Sequence, residues 1–224
     1  MPDLPGSFSR YPSKQAGLQA HVERALVERA QAGDQQAVGD LYDVHVGPLY
    51  RFCLARVGNE TDAEDLTEEI FLKVMRGIRG FEWRPLGKTE DGEERSPFRA
   101  WLFRIARNHV VSHYRRTSIR RDVGEVPETV EDDQRGPAEM AELQLTVDEV
   151  FAAVERLPQA QREVILLRFG SGLSVAETAE ALEKQQTNVK VLQHKGIKRL
   201  KELLAEAEAA TEAALLNRPD RGAR

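Results

Sequence analysis

FRAWLFRIARNHVVSHYRRTSIRR, Phe98 to Arg121, is the stretch whose reading decides the fold. Placed at about 100° per residue, Phe98, Leu102, Ile105 and Ala106 share one side, which predicts a single amphipathic helix. Arg104, Asn108, Val111 and Arg115 make a stripe on the other side, flanked by Trp101 and Arg107. The segment holds seven arginines, Arg116 among them, and no Asp or Glu. A solvated helix normally interleaves both signs of charge. One-sign charge beside an aromatic suits a helix facing nucleic acid: arginines hold phosphates, an Asn pairs with a base edge, a Trp stacks on an unpaired base. The plainer alternative is a solvated basic face with Trp101 in the core.

The surroundings weigh against the plain reading. The 224-residue chain has a net charge of -5, but the charge is segregated. Asp122 to Glu149 carries ten acids and only one base, Arg135, with Pro127, Gly136 and Pro137. That composition predicts a flexible acidic linker, here placed at 122–146. Its charge opposes that of the preceding helix, so it can shield the basic face when no nucleic acid is bound. Cys53 is the only cysteine and has no metal-binding spacing around it, so it reads as a small buried hydrophobe. No nucleophile constellation, nucleotide loop or metal cluster is visible, and neither enzyme activity, catalytic residues, a metal nor a cofactor is expected. His109 and His113 have i, i+4 spacing but fall toward the buried side of the basic helix. The N-terminus lacks a signal-peptide pattern and no segment is apolar enough to span a bilayer, which predicts a cytoplasmic protein without membrane insertion.

Upstream, residues 1–17 with Pro2, Pro5 and Pro12 read as a disordered leader. A helical pattern runs from Leu18 to Ala32. Asp34 to Val57 reads as a helix or a helix pair, with Gly47-Pro48 as the point of a kink or a break. Thr61 with Glu64 makes a candidate capping box for the next helix. Ala63, Leu66, Ile70, Val74 and Ile78 form its buried side. Asp62, Asp65, Glu69 and Arg76 lie outside with Leu72 exposed among them, a sign of a protein contact beside the alternative of a solvated face. Arg79 to Pro97 is too rich in Gly and Pro for a continuous helix, and Phe81 and Trp83 open it beside the basic helix.

Downstream, a second small domain spans 147–204. Helices are expected over 147–156 and 159–169, the latter with Val164, Ile165, Leu166 and Leu167 as core. Ser174 with Glu177 is a capping box for a short helix, Val175 to Leu182. A tight turn and a longer helix from Thr187 to Leu204 complete a helix-turn-helix outline. Val189, Leu192, Gly196, Leu200 and Leu203 fall on one side of that helix. Thr187, Lys190, Val191, His194, Lys195 and Lys198 fall on the other. From Lys184 to Lys201 there are five lysines, one arginine and no acid. Lysines at such positions meet phosphates, while Thr187, Asn188, Lys190 and His194 can approach base edges in a major groove. Gly196 in mid-helix, at up to about 1 kcal/mol relative to Ala, points to close packing. Residues 205–224 continue as a helical extension and a polar tail.

DAEDLTEEIFLKV (Asp62 to Val74), FRAWLFRIARN (Phe98 to Asn108), LPQAQREVILLRF (Leu157 to Phe169) and GLSVAETAEAL (Gly172 to Leu182), in that order, resemble the extracytoplasmic-function sigma factors of the sigma-70 class. The resemblance covers roughly residues 25 to 205. It implies an all-α protein of two small helical domains, region 2 at 18–121 and the region 4 helix-turn-helix at 147–204, joined by the acidic linker. It implies a transcription initiation factor that binds core RNA polymerase and promoter DNA, probes a melted minus-ten element and reads a duplex minus-thirty-five element. Asp62, Asp65, Glu69, Leu72 and Arg76 would hold polymerase. Phe81 and Asn108 match the family's base pocket and Trp101 its strand-separating surface, with Arg104, Arg107, Arg115 and Arg116 beside them. Ser174, Thr187, Asn188, Lys190, Val191, His194, Lys195 and Lys198 would meet the minus-thirty-five element. The family usually has an anti-sigma partner, and the free protein is expected to be a monomer. Glu68 stands where the family usually has Gln, the turn reads Glu183-Lys184-Gln185 where Gly-Ile-Ser is common, and Val191-Leu192 replaces the usual Ser-Arg. A conventional duplex-binding repressor or activator, and a degenerate sigma-like regulator that binds polymerase without opening promoters, remain the alternatives.

Overall fold

A computed structural model of the chain describes residues 20–87, 95–122 and 149–216. The expected leader, most of the acidic linker, loop residues 88–94 and the end of the tail lie outside the described residues. These are all-helical, with no strand among them. In order come α1 (Ala20–Gln31), α2 (Gln35–Val57), α3 (Glu60–Gly77), a 3₁₀ turn (Ile78–Gly80) and α4 (Pro97–Asp122). Then follow α5 (149–155), α6 (Gln159–Ile165), a π turn (Leu166–Gly170), α7 (Val175–Ala181) and α8 (Gln186–Leu216). They divide into two compact units. One is Met1–Asp132 with Leu166–Lys190, the other Asp133–Ile165 with Val191–Arg224.

The helices of the first unit begin and end for local reasons. After α1, Gly33 takes a left-handed φ of 94°, and its N–H and that of Asp34 return to Ala30 O and Arg29 O at 3.0 and 3.1 Å. This is a Schellman stop, which glycine favours. Asp34 then caps α2 by accepting from the Gln36 and Ala37 N–H groups. Of the two alternatives, a helix or a helix pair, α2 is the single helix and runs unbroken through Pro48. Val46, Leu49 and Tyr50 on both sides of it are buried, and that packing offsets the roughly 3 kcal/mol a helix-interior proline costs. The cap of α3 is Asn59, not Thr61: its side chain accepts from the Asp62 N–H at 2.8 Å. Thr61 already lies inside the first turn, because Gly58, at φ 77°, ends α2 one residue before Asn59.

The core of this unit joins Leu41, Leu49, Phe52 and Cys53 of α2, Leu66 and Ile70 of α3, and Phe98, Leu102, Phe103 and Ala106 of α4, all buried. Burial pushes the Cys53 thiol up to about 12, so it is an inert hydrophobe there. One polar cluster is enclosed too. Glu23 of α1 lies 2.8 Å from His45 Nε2 of α2, and the Ser96 hydroxyl donates to its other carboxylate oxygen. Ser96 Oγ also accepts, at 3.4 Å, from the Arg99 N–H in the first turn of α4. The His45 ring contacts Phe98 at 5.3 Å between centroids. Ser96 thereby ties α1 to the start of the basic helix, while Glu23 and His45 approach closely without an aligned hydrogen bond.

In the second unit the buried Gly196 of α8 meets Ile165 at the end of α6. A Cβ added there would fall 2.9 Å from Ile165 Cγ1. The expected close packing is thus a contact that only glycine admits.

Candidate nucleic-acid interface

α4 carries the expected amphipathicity with a wider buried face. Phe98, Ala100, Leu102, Phe103, Ala106 and Val110 are buried, and Ile105 is half-buried. Asn108, Arg115 and Arg116 are exposed, while Trp101, Arg104, Arg107 and Val111 are half-buried. The Trp101 ring leans on Gly77, where a Cβ would lie 3.2 Å from its Cζ2. It also packs on Phe81 (5.0 Å between centroids) and Phe98 (5.8 Å). Phe98 is the buried anchor. Phe81 and Trp101 rise from it as a half-exposed aromatic surface, and Trp83 extends this surface edge-on from Phe81 at 6.2 Å. Trp101 is therefore neither a core residue nor free in solvent. It is held in place with one part open, which is what stacking on an extruded base requires.

Gln31 sets the height of that surface. Its side-chain amide donates to Ile78 O at 2.8 Å and Phe81 O at 2.7 Å, fixing the turn that delivers Phe81. The Arg95 N–H donates to Gly87 O at 3.0 Å and closes the far end of the loop. Sequence reading passed over Gln31 because nothing in a helix's last residue points 47 and 50 positions away.

The outer face of α3 is as read: Asp65, Glu69 and Arg76 are exposed, Asp62 is half-exposed, and Leu72 is 55% exposed. Glu69 has a second tie that was not foreseen. Its carboxylate accepts from His109 Nε2 of α4 at 2.7 Å, while Lys73 Nζ lies 2.5 Å from His109 Nδ1. An ammonium donating to Nδ1 requires that nitrogen unprotonated, so His109 is neutral with its proton on Nε2. Burial, and then the Lys73 charge, hold its pKa below the ordinary value against the pull of Glu69.

The helix-turn-helix outline is α7, residues Leu182 to Gln185, and α8. Ser174 and Glu177 make the capping box: the Ser174 N–H donates to Glu177 at 2.6 Å and the Glu177 N–H to Ser174 Oγ at 3.2 Å. α7 ends in a second Schellman stop, with Lys184 N–H to Ala179 O at 2.8 Å and Glu183 N–H to Glu180 O at 3.2 Å. Its left-handed residue is Glu183, at φ 53°. The backbone turn that glycine commonly makes is here made by a glutamate. Ser174 is half-buried by its capping role. On α8, Thr187, Asn188, Lys190, Val191, His194, Lys195 and Lys198 are all exposed, and Val189 and Leu203 are buried.

Two family models match the chain: Sigma-70 region 2 over residues 41–119 and Sigma-70, region 4 over residues 148–200. The extracytoplasmic-function RNA polymerase sigma factor SigX of Bacillus subtilis is 34% identical over 190 residues, covering 81% of this chain and 92% of SigX. The chain belongs to the extracytoplasmic-function sigma factors of the sigma-70 family. A second sigma factor of the group, BldN of Streptomyces coelicolor, is 40% identical over 183 residues. That match covers 81% of this chain and 65% of BldN, so this sigma factor spans somewhat under two thirds of that relative. Among solved structures, CnrH in complex with the cytosolic domain of CnrY superposes with a TM-score of 0.61 at 26% identity, covering 82% of this chain and 97% of CnrH. The protein is thus a promoter-specific transcription initiation factor acting through RNA polymerase. Its relatives are not enzymes. No helix among the described residues is long and apolar enough to cross a membrane.

Proposed function

We propose that this sigma factor divides its work by surface. Residues 18–121 bind core polymerase and open the minus-ten element, and residues 147–204 read the minus-thirty-five element as duplex. The outer face of α3 holds polymerase through Asp62, Asp65, Glu69 and Arg76 around the exposed Leu72. α4 captures the melted strand. Phe81 and Trp101 stack on extruded bases, Asn108 reads a base edge, and Arg104, Arg107, Arg115 and Arg116 hold phosphates. α8 enters the major groove with Thr187, Asn188, Lys190, Val191 and His194, and Lys195 and Lys198 meet the backbone; Ser174 supports it from the cap of α7. The observation that carries this reading is the half-exposed aromatic surface of Phe81, Trp83 and Trp101, braced by Gln31 beside a helix with exposed Arg115, Arg116 and Asn108. The protein acts in the cytoplasm, as a monomer when free, without a cofactor. By analogy with CnrH, it is held by an anti-sigma factor.

The test compares duplex and pre-melted promoters with core polymerase. Stacking is worth about 1–3 kcal/mol per base, so Trp101→Ala and Asn108→Ala should each lower transcription from duplex promoter roughly 10- to 100-fold. Core binding should be unchanged and pre-melted templates partly rescued. Equal loss on both templates, or lost core binding, would refute the assignment.

A further inference from the structure

We propose that His109 of α4 is a positioning residue for polymerase binding, holding the Glu69 carboxylate on the outer face of α3 in the setting that meets polymerase. The inference rests on that face being the polymerase contact, as proposed above. Asp62, Asp65, Glu69, Leu72 and Arg76 recur every three or four residues, so they make one stripe along α3 with Glu69 in the middle. The Glu69 side chain is 59% exposed, whereas the His109 ring beneath it is 2% exposed. The 2.7 Å hydrogen bond from Nε2 to Glu69 Oε2 therefore runs from the interior of the unit outward. One carboxylate oxygen is held. The other makes no hydrogen bond or ion pair among the described residues and stays open to a partner.

The chemistry of the donor suits this role. Glu69 and Lys73 stand i, i+4 on α3, the spacing and order at which an acid and a base pair directly. Such a pair would spend the Glu69 charge on its own helix. Instead the imidazole lies between them: Lys73 Nζ donates to Nδ1 at 2.5 Å, which fixes the neutral tautomer that donates from Nε2. The charged groups facing the ring are Glu69 and Lys73 of α3 and Arg116 of its own helix. Burial, and then the two cations, keep it uncharged. A neutral donor fixes the carboxylate and leaves its whole negative charge for a cationic partner, where an imidazolium would neutralise it. Asp62 in the same stripe is held in the same manner, accepting from the uncharged Asn59 amide at 2.7 Å. A glutamate free to rotate loses side-chain freedom when it binds, and one already held loses less, so pre-setting it raises affinity.

The test is a double-mutant cycle of His109→Ala and Glu69→Ala in the full-length protein, read as affinity for core RNA polymerase. His109→Ala should weaken core binding about three- to tenfold in the otherwise unmodified chain. In the Glu69→Ala background it should change nothing, because the group it acts through is gone. His109→Gln should restore affinity to within about twofold, since an amide can accept from Lys73 and donate to Glu69 as the neutral ring does. Equal weakening in both backgrounds marks a merely structural role and overturns the proposal, as does a weakening that Gln fails to rescue. A second measurement needs no variant. In the free chain at about pH 7.5, the imidazole nitrogen shifts of His109 should report a neutral ring protonated on Nε2, and a proton on Nδ1 or a charged ring overturns the geometry. If Glu69→Ala leaves core affinity unchanged, the polymerase-face reading fails at this residue and the proposal falls with it. If Glu69→Ala weakens binding and His109→Ala does not, the face stands and only the positioning role is lost.

Discussion

Gly196→Ala is the substitution that best separates close packing from mere tolerance of glycine. In a helix, alanine is favoured over glycine by about 1 kcal/mol. Here the added Cβ would lie 2.9 Å from Ile165 Cγ1, 3.2 Å from its Cδ1 and 3.5 Å from Gln161 Cβ. Favourable carbon contacts sit at about 3.5–4.0 Å, so α8 must shift or Ile165 leave its rotamer. Overpacking of this kind costs about 1–3 kcal/mol. The net expectation is a loss of up to about 2 kcal/mol in that unit. Ile165→Ala removes both clashing atoms and alone costs about 2–5 kcal/mol. In that background Gly196→Ala should be stabilising by up to about 1 kcal/mol. Native-state hydrogen exchange of α6 and α8 amides, which reports on this unit rather than the whole chain, measures all four proteins. A coupling of about 1–3 kcal/mol between the sites is expected. If Gly196→Ala stabilises the unmodified protein by about 1 kcal/mol and simply adds to Ile165→Ala, the packing argument is wrong.

Three further outcomes follow from particular contacts. Glu23→Ala removes the acceptor of the buried Ser96 hydroxyl and should cost about 1–3 kcal/mol in urea unfolding monitored by tryptophan fluorescence; an unchanged stability would mean the cluster is not a tie. His109 has a folded pKa below its unfolded one, so the unfolded chain binds the proton first. Stability should fall as pH drops below about 6.5 toward the folded value, and His109→Gln should flatten that part of the pH–stability curve; an unchanged slope would assign it elsewhere. Glu183→Gly relieves a left-handed residue and gives up only an exposed ion pair, so a thermal-melt gain equivalent to about 1 kcal/mol is expected, and a loss would contradict the Schellman reading.

The legible parts of this chain were those written in local periodicity. The span of α4, the buried row of α3 from Ala63 to Val74, the Ser174–Glu177 capping box and the exposed row of α8 all follow from residues within one or two turns of each other. The illegible parts depended on distant partners or on tertiary override. Pro48 signals a break, but burial on both sides carries α2 through it. Glu183 has no side-chain signal for a left-handed turn, and only the return of Lys184 N–H to Ala179 O reveals one. Gln31, Arg99 and the Ser96–Glu23 bond act across 47 or more residues. Within the candidate site the exposed arginines and Asn108 could be read from the helix face. The setting of Trp101 on Gly77 and Phe81 could not, because its exposure depends on a loop fixed from α1.

The most direct test of the account is transcription in vitro with purified protein, core RNA polymerase and genomic DNA of its own source, with transcript starts mapped. The account expects discrete starts, absent with core alone, that share two upstream motifs about 25 base pairs apart, matching a melting helix and a duplex-reading helix. Core binding without any starts, or no core binding at all, would contradict it.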